Sequence, residues 1–337
     1  MTLPTLERPD AVPRDAATFA LPGSPRIAVL IPCYNEEPSI AAVVRDFRAA
    51  LPGAVVYVYD NNSRDQTVER ARDAGAVVRH EPLQGKGNVV RRMFADVEAD
   101  VYVLVDGDDT YHAASAPLLV RRLWEDRLDM VNAARTGGGA AAYRPGHRAG
   151  NRLLTGLAAR IFGKRVNDML SGYRVFSRRF VKSFPALSTG FETETELTVH
   201  ALELRMPVAE LATPYKERPP GSSSKLNTIR DGVRILRTIA VLVKEERPLP
   251  FFAGFALLFA LLSVGLAGPV VGDWLETGLV PRLPTAVLCT GLMLLAFLSL
   301  ACGLVLDTVT RGRREMKRMR YLAVRGPGVE PGVEKTG

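Results

Sequence analysis

The sequence predicts an α/β fold: a mainly parallel sheet with helices on both faces, followed by amphipathic helices and a C-terminal hairpin of two transmembrane helices. Before residue 110, short apolar runs alternate with segments of helical periodicity, which is typical of βαβ units and a parallel sheet. Residues 249–271 and 283–306 contain no charged side chain. Each of these two runs is long enough to cross a bilayer, which takes roughly 20 helical residues.

The N-terminal half supplies the sheet. Residues 1–25 are rich in proline and lack the apolar core of a signal peptide, so we expect a flexible arm. The main domain, 26–225, begins with four apolar runs, and a strand-like "LDMVNAA" follows. These runs are "RIAVLIP" (26–32), "AVVYVYD" (54–60), "AVVRH" (76–80) and "VYVLVD" (101–106).

Each of the four runs ends in a polar loop. The loops read "CYNEEPS", "NNSRDQT", "EPLQGKGN" and "GDDTYHA". Ligands of open α/β sheets bind outside the carboxyl ends of the strands. We therefore expect the four loops to line one crevice.

Two later segments combine apolar residues at helical spacing with many basic residues. For residues 147–165 the pattern fits a helix packed on the core as well as a helix at the membrane surface. Residues 226–248 repeat it directly before an apolar run, which favours a juxtamembrane helix at the lipid interface.

The charges beside the two spans, 249–306, predict their orientation. Basic residues precede the first span and crowd the segment 307–337 after the second, whereas the connecting loop is mostly acidic. By the positive-inside rule, both termini and the main domain are expected in the cytoplasm, with 307–337 as a basic tail. The protein is then a two-span protein of the cell membrane.

The net charge of +8 is explained by these juxtamembrane residues. A nucleic-acid partner is not expected, because no basic stripe interleaved with aromatic residues is present. The three cysteines have no paired spacing, which is consistent with a reducing compartment.

Three carboxylates, Asp106, Asp108 and Asp109, directly follow an apolar strand. Unpaired, they would raise one another's pKa values, so a cation is expected among them. Carboxylate oxygens suit Mg²⁺ or Mn²⁺.

Gly85-Lys86-Gly87 lies at a helix start, where backbone N–H groups and a lysine can hold phosphate. The Walker A spacing is absent.

Seven motifs, taken together and in order, resemble the family 2 glycosyltransferases of GT-A fold, and among them the polyprenyl-phosphate glycosyltransferases related to dolichol-phosphate mannose synthase. The resemblance covers about residues 26–245. The motifs are "IPCYNEEPSI", "YDNNSRDQT", "GKGNVVRRMF", "VDGDDT", "DMLSGYRVFSRR", "GFETETEL" and "YKERPPGSSSKL". The second loop departs from the common D-D-G-S-x-D, and the fourth departs from D-A-D-L-Q.

The resemblance implies a nucleotide-sugar site built from these loops, for a UDP- or GDP-linked sugar. Asp106 and Asp108 would hold Mg²⁺ or Mn²⁺ and the diphosphate, and Lys86 would lie nearby. The base and ribose would contact Pro32, Tyr34, Glu36 and Asp60.

The implied reaction moves a hexose, with inversion, to a polyprenyl phosphate. Arg174, Arg218 and Lys225 would bind the acceptor phosphate or the diphosphate, and Asp168 and Ser171 would position Arg174. The residues expected to carry catalysis are Asp106, Asp108, Arg174 and Lys225. Glu192, Glu194 and Glu196 remain undecided as site residues, and His112, His147 and His200 are expected to be structural.

Two alternatives stay open at this point. The acceptor could be another membrane lipid or a glycan, or the chain could be a catalytically silent scaffold in the membrane. Neither the sugar nor the nucleotide follows from the sequence, and a homo-oligomer also stays open.

Overall fold

The computed structural model describes residues 21–136, 168–190, 192–216 and 247–328, together with 156, 241, 244 and 245. The chain divides into two compact units, Met1–Gly232 with Lys317–Gly337, and Val233–Met316. The expected boundary at 225 and nearly all of the two basic amphipathic segments lie outside the described residues.

A seven-stranded sheet forms the centre of the first unit. Its strands are β1 Ile27–Cys33, β2 Val55–Asp60, β3 Val77–His80, β4 Val101–Leu104, β5 Met130–Thr136, β6 Arg174–Ser177 and β7 Val208–Pro214. They are ordered β3-β2-β1-β4-β6-β5-β7. Neighbours are parallel except where β6 pairs with β4 and β5.

This topology brings the functional loops to one edge. The six strands other than β6 share a direction, so their carboxyl ends and the first residue of β6 meet at the same edge of the sheet, which we call the upper edge. The predicted mainly parallel sheet is confirmed, with the antiparallel β6 as an addition.

Helices cover both faces of the sheet, as predicted. They are α1 Ile40–Ala50, α2 Thr67–Asp73, α3 Lys86–Asp96, α4 Ala116–Glu125, α5 Arg178–Ser183 and α6 Thr193–Glu203. Alternate residues of β1 enter two separate cores: Val29 and Ile31 pack in one, and Ala28 and Leu30 in the other. The period of two in a strand thus builds one core on each face.

The second unit contains most of two long apolar helices, α7 Pro248–Thr277 and α8 Leu283–Leu322. Both are long and apolar enough to cross a membrane. They pack together where Gly303 lies against Leu249 and Phe252, and where Ser263 Oγ donates to the Cys289 carbonyl at 2.8 Å. Their other apolar side chains are largely exposed, unlike those of a helix in a soluble core.

Helix α8 continues to Leu322, through part of the segment expected as a basic tail. The residues from Lys317 onward belong to the first unit. There, the Tyr321 hydroxyl donates to Asp129 Oδ2 at 2.8 Å, and the Arg179 guanidinium lies 4.7 Å from the centre of the Tyr321 ring. Asp129 directly precedes β5, at the sheet edge opposite the upper edge.

Candidate active site

The loops after β1 and β2 are tied together at the upper edge. The Asn35 backbone N–H donates to Ser63 Oγ, and the Glu36 N–H donates to Thr67 Oγ1, each at 2.9 Å. Asn35 itself has a positive φ of 52°, which is uncommon outside glycine. The residues expected at the nucleoside, Pro32, Tyr34 and Glu36, are half-buried here.

Asp60, the last residue of β2, is buried and held from two sides. Its carboxylate accepts the Ser63 backbone N–H at 3.2 Å and lies 3.2 Å from His80 Nδ1. The carboxylate is therefore fixed at the upper edge, next to the loop that follows β1.

Each carboxylate of the loop after β4 has a partner from the protein. Lys86 Nζ lies 2.5 Å from Asp106 Oδ1, and Lys216 Nζ lies 3.2 Å from Asp109 Oδ1. Asp108 Oδ1 accepts the Thr110 hydroxyl at 2.6 Å. The crowding of like charges seen in the sequence is thus relieved by two lysines and a hydroxyl group.

Four carboxylates from three loops lie near enough to the buried thiol of Cys33 to raise its pKa. Burial raises the pKa of Cys33 well above its ordinary value, and the negative charges nearby raise it further. The Cys33 sulfur lies against Gly107, where an added Cβ would be only 2.7 Å from it. The carboxylates are those of Glu36, Asp60, Asp106 and Asp108.

Lys86 joins the predicted site to a residue that the sequence left undecided. Its ammonium bonds to Asp106 and also to Glu194, near the start of α6. Burial lowers the pKa of Lys86, but the two carboxylates outweigh burial and the pKa is raised. Glu196, in contrast, accepts the backbone N–H groups of Leu187 and Ser188 and supports the loop before α6.

The glycines beside Lys86 serve protein packing. A Cβ on Gly85 would lie 2.2 Å from the Thr189 carbonyl oxygen, and one on Gly87 would lie 2.1 Å from that of Ser188. The Gly87 N–H donates to the Thr189 carbonyl at 3.1 Å. The expected phosphate contact through backbone N–H groups is therefore not supported at Gly87.

The burial of Arg174 does not support the expected role of this residue as a cation that binds the acceptor. The residue is fully buried, because it begins a strand that lies within the sheet and is covered by α6. Its guanidinium donates to the Ser171 carbonyl at 3.0 Å, the Met169 carbonyl at 2.6 Å and Thr198 Oγ1 at 2.7 Å. These bonds give Arg174 a structural role, because they join the start of β6 to the turn before it and to α6.

Asp168 pairs with Arg135 instead. The two side chains form a two-pronged ion pair, with distances of 2.7 Å and 2.8 Å. The Arg135 guanidinium also lies 5.6 Å from the centre of the Tyr215 ring. We did not predict Arg135 as a site residue from the sequence, although its position at the carboxyl end of a strand could have indicated it.

Lys216 was also not predicted as a site residue from the sequence. It is half exposed beside Asp109, and its backbone N–H donates to the Thr110 carbonyl at 2.8 Å. The two segments are joined again by a bridge between Tyr111 and Tyr215. Arg218 and Lys225, which follow in the chain, lie outside the described residues.

Sequence comparisons relate this chain to known glycosyltransferases. The model of the family described as "Glycosyl transferase family 2" matches residues 28–184. Glycosyltransferase AglJ of Haloferax volcanii is 33% identical over 309 residues, covering 90% of this chain and 100% of that protein. Dolichyl-phosphate hexose transferase of the same organism is 31% identical over 222 residues, covering 66% of this chain and 95% of that protein.

Solved structures of glucosyl-3-phosphoglycerate synthase from Mycobacterium tuberculosis share the fold. A complex with Mn²⁺, UDP-glucose and phosphoglyceric acid is 26% identical with a TM-score of 0.52, covering 65% of this chain and 79% of that chain. A complex with Mg²⁺ and UDP is 25% identical with a TM-score of 0.53, with the same coverage. The chain therefore belongs to glycosyl transferase family 2 and is a glycosyltransferase that acts on nucleotide sugars.

Proposed function

We propose that this enzyme transfers a hexose, with inversion, from a nucleotide diphosphate sugar to a polyprenyl phosphate at a membrane. The observation that carries the proposal is the contact of Lys216 with the carboxylate-rich loop after β4. From that contact the chain continues through Arg218 and Lys225 and enters the apolar helix α7 at Pro248. The basic segment thus links the donor loop to a membrane-spanning length of chain.

The donor side is assigned to the loops of the upper edge. Pro32, Tyr34, Glu36 and Asp60 are proposed to hold the nucleoside, because they lie at or just after the carboxyl ends of the paired strands β1 and β2. Lys86 and the loop after β4 are proposed to hold the diphosphate. The related complexes with UDP and UDP-glucose support this assignment.

Asp106 and Asp108 fit a Mg²⁺ or Mn²⁺ ion. Among the described residues no group of three His, Cys, Asp or Glu side chains could hold a metal alone, and these ions commonly take one or two carboxylates and complete their shell with phosphate and water. The Thr110 hydroxyl holds the Asp108 carboxylate in place. Bound there, the ion would neutralise charge on the leaving diphosphate.

The acceptor needs positive charge more than it needs a base. A phosphate monoester with a second pKa of about 6 is already an oxyanion near neutral pH. Its attack on the anomeric carbon, opposite the diphosphate, inverts that carbon. The chain must offset the repulsion between two phosphorylated substrates, and Lys216, Arg218 and Lys225 are proposed to do so. Arg174 is not included, because its guanidinium is buried and bonded to the protein.

We further propose that α7 and α8 anchor the enzyme, with the sheet unit on the cytoplasmic side. The excess of Lys and Arg next to both spans supports this orientation. Anchoring confines the enzyme to the plane that holds the acceptor phosphate, which raises the effective acceptor concentration. The name of the related dolichyl-phosphate hexose transferase supports a lipid-phosphate acceptor.

The test uses the full chain in vesicles with Mn²⁺, a panel of UDP- and GDP-linked hexoses and a polyprenyl phosphate, and identifies the lipid product by mass. A product equal to polyprenyl phosphate plus one hexose supports the proposal. Transfer only to a glycolipid or a glycan would assign a different acceptor. Absence of turnover with every donor would contradict an enzymatic role and favour a scaffold.

A further inference from the structure

One ammonium is shared by two carboxylates at the centre of the site. Lys86 Nζ lies 2.5 Å from Asp106 Oδ1 and also bonds to Glu194 Oε1. The side chains of Lys86 and Glu194 are only 11% and 10% exposed, whereas that of Asp106 is 29% exposed. Asp106 is therefore the one of the three that an incoming ligand can reach most easily.

The charges of this group do not balance, because two carboxylates and one ammonium sum to one negative charge. A cation that binds Asp106 must compete with Lys86 for the same carboxylate. A buried ammonium that loses its only counter-ion is strongly disfavoured. Glu194 supplies a second counter-ion, so Lys86 can release Asp106 and remain paired.

Glu194 is also held firmly in position. The Thr198 hydroxyl donates to the Glu194 carbonyl at 3.1 Å and receives a hydrogen bond from the buried Arg174 guanidinium. Gly87, next to Lys86, packs closely on the Ser188 carbonyl and on the Thr193 side chain, and Thr193 directly precedes Glu194. Glu194 Oε2 is buried and has no hydrogen-bond partner within the described part of the chain, which leaves it able to accept a further bond from Lys86.

Resting on the function proposed above, we propose that Glu194 is a positioning residue: it retains the Lys86 ammonium when Asp106 turns to the metal and the nucleotide diphosphate. Arg174 then acts on the site through α6, because it braces the turn that carries Glu194. Neither residue needs to touch a substrate for this role.

Glu194→Gln tests the role, because it preserves the shape of the side chain and removes its charge. Lys86 is then left with Asp106 as its only counter-ion, and the metal must compete harder for that carboxylate. We expect the affinity for Mn²⁺ at saturating UDP or GDP, measured from the EPR signal of free Mn²⁺, to fall about 10-fold to 100-fold, as for other residues that support metal ligands. The matched control is Glu196→Gln, on the same helix but away from Lys86, which should leave Mn²⁺ affinity unchanged.

A second substitution separates positioning from a general structural effect. In the Glu194→Gln background, Lys86→Met removes the competing ammonium, so Mn²⁺ affinity should rise again. If Glu194 had a merely structural role, Lys86→Met would not restore the Mn²⁺ affinity that Glu194→Gln loses. Equal Mn²⁺ affinity of wild type and Glu194→Gln, or a further fall in the double variant, would overturn the positioning role. Absence of Mn²⁺-dependent binding of either nucleotide to the wild type would instead overturn the proposed function, and this inference with it.

Discussion

Gly172 lies directly against the carboxylate of Asp106: a Cβ added to Gly172 would be 2.2 Å from Asp106 Oδ2. The Gly172 N–H donates to the Tyr111 hydroxyl at 2.8 Å, which fixes the backbone in this position. The turn before β6 therefore sets the place of the Asp106 carboxylate from one side, while Lys86 sets it from the other.

Gly172→Ala should displace the Asp106 carboxylate and lower kcat/KM by about 100-fold, the loss expected when a catalytic group moves by about 1 Å. The fold should survive, because the new methyl group meets the end of a side chain and not backbone. The control is Gly312→Ala on helix α8, where nothing lies within 4 Å of the added Cβ. Equal activity of the two variants would contradict the importance of this contact.

Asp108→Asn should reduce turnover by more than about 100-fold, since a metal-binding charge worth several kcal/mol in the transition state is lost. The thermal midpoint should change little, because the amide oxygen can still accept the Thr110 hydroxyl. Asp73→Asn, an exposed carboxylate at the end of α2, serves as the matched control. Full wild-type activity in excess chelator would contradict the metal assignment.

Lys216→Ala should change the acceptor KM and not the stability, whereas Arg174→Met should mainly lower the stability. Lys216 is proposed to bind the acceptor phosphate, so its loss should raise the KM for the acceptor. Because the side chain is half exposed, stability should not fall. Loss of Arg174 leaves the buried Met169 and Ser171 carbonyls without their donor, which should cost at least about 2 kcal/mol of unfolding free energy. Acceptor kinetics and urea unfolding of both variants check this division. A stable Arg174→Met protein with a raised acceptor KM would restore Arg174 to the acceptor site.

Tyr321→Phe should lower the free energy of unfolding by about 1 kcal/mol, because a hydrogen bond to the buried Asp129 is lost. Asp129 keeps its ion pair with Arg179, so the effect should stay moderate. Urea unfolding in detergent measures it, with Tyr57→Phe on β2 as a half-buried control. Equal losses in both variants would show that the Asp129 contact contributes nothing specific.

The stability of the protein should depend on His200 in mildly acidic solution. Burial, and secondarily the charge of Lys317, lowers the pKa of His200 to about 3 in the folded protein, against about 6.5 in the unfolded chain. The unfolded chain alone binds a proton between these values, so this contribution is complete above about pH 6.5 and is lost progressively as the pH falls toward 3. At pH 5 the loss is about 2 kcal/mol.

His200→Phe should remove this dependence. The ring would still pack between Phe180 and Phe184, and the Ser183 hydroxyl would keep its bond to the Phe180 carbonyl. Unfolding free energies of both proteins are compared at pH 7.5 and pH 5. The difference between the two proteins should change by about 2 kcal/mol, whereas an unchanged difference would contradict the buried neutral state of His200.

Much of the fold followed from sequence because local patterns determine it. Apolar runs gave the first four strands to within one or two residues, and the rule that carboxyl ends of parallel strands share an edge brought Asp60, Asp106 and Asp108 together. Long uncharged runs likewise predicted α7 and α8. These inferences needed only neighbours in the chain.

The missed features depend on partners far apart in the chain. Lys86 and Glu194 are 108 residues apart, so local spacing could not distinguish Glu194 from Glu192 and Glu196 as the site residue. Arg174 was expected to bind the acceptor phosphate or the diphosphate, because its own motif does not reveal that β6 inserts between two other strands. Its burial follows from the order of strands, which local periodicity does not determine.

The antiparallel direction of β6 has one more consequence. Strand β5 ends and β6 begins at the same edge of the sheet, so the described residues on either side of 137–167 lie close together at this edge. Arg135 and Asp168 join the two ends of this stretch by their ion pair. A stretch whose ends already meet can change in length and sequence without reordering the strands around it. A change of this kind would leave the carboxylate-bearing ends of β1, β2 and β4 in place, so the chain between β5 and β6 can vary while those groups keep their arrangement.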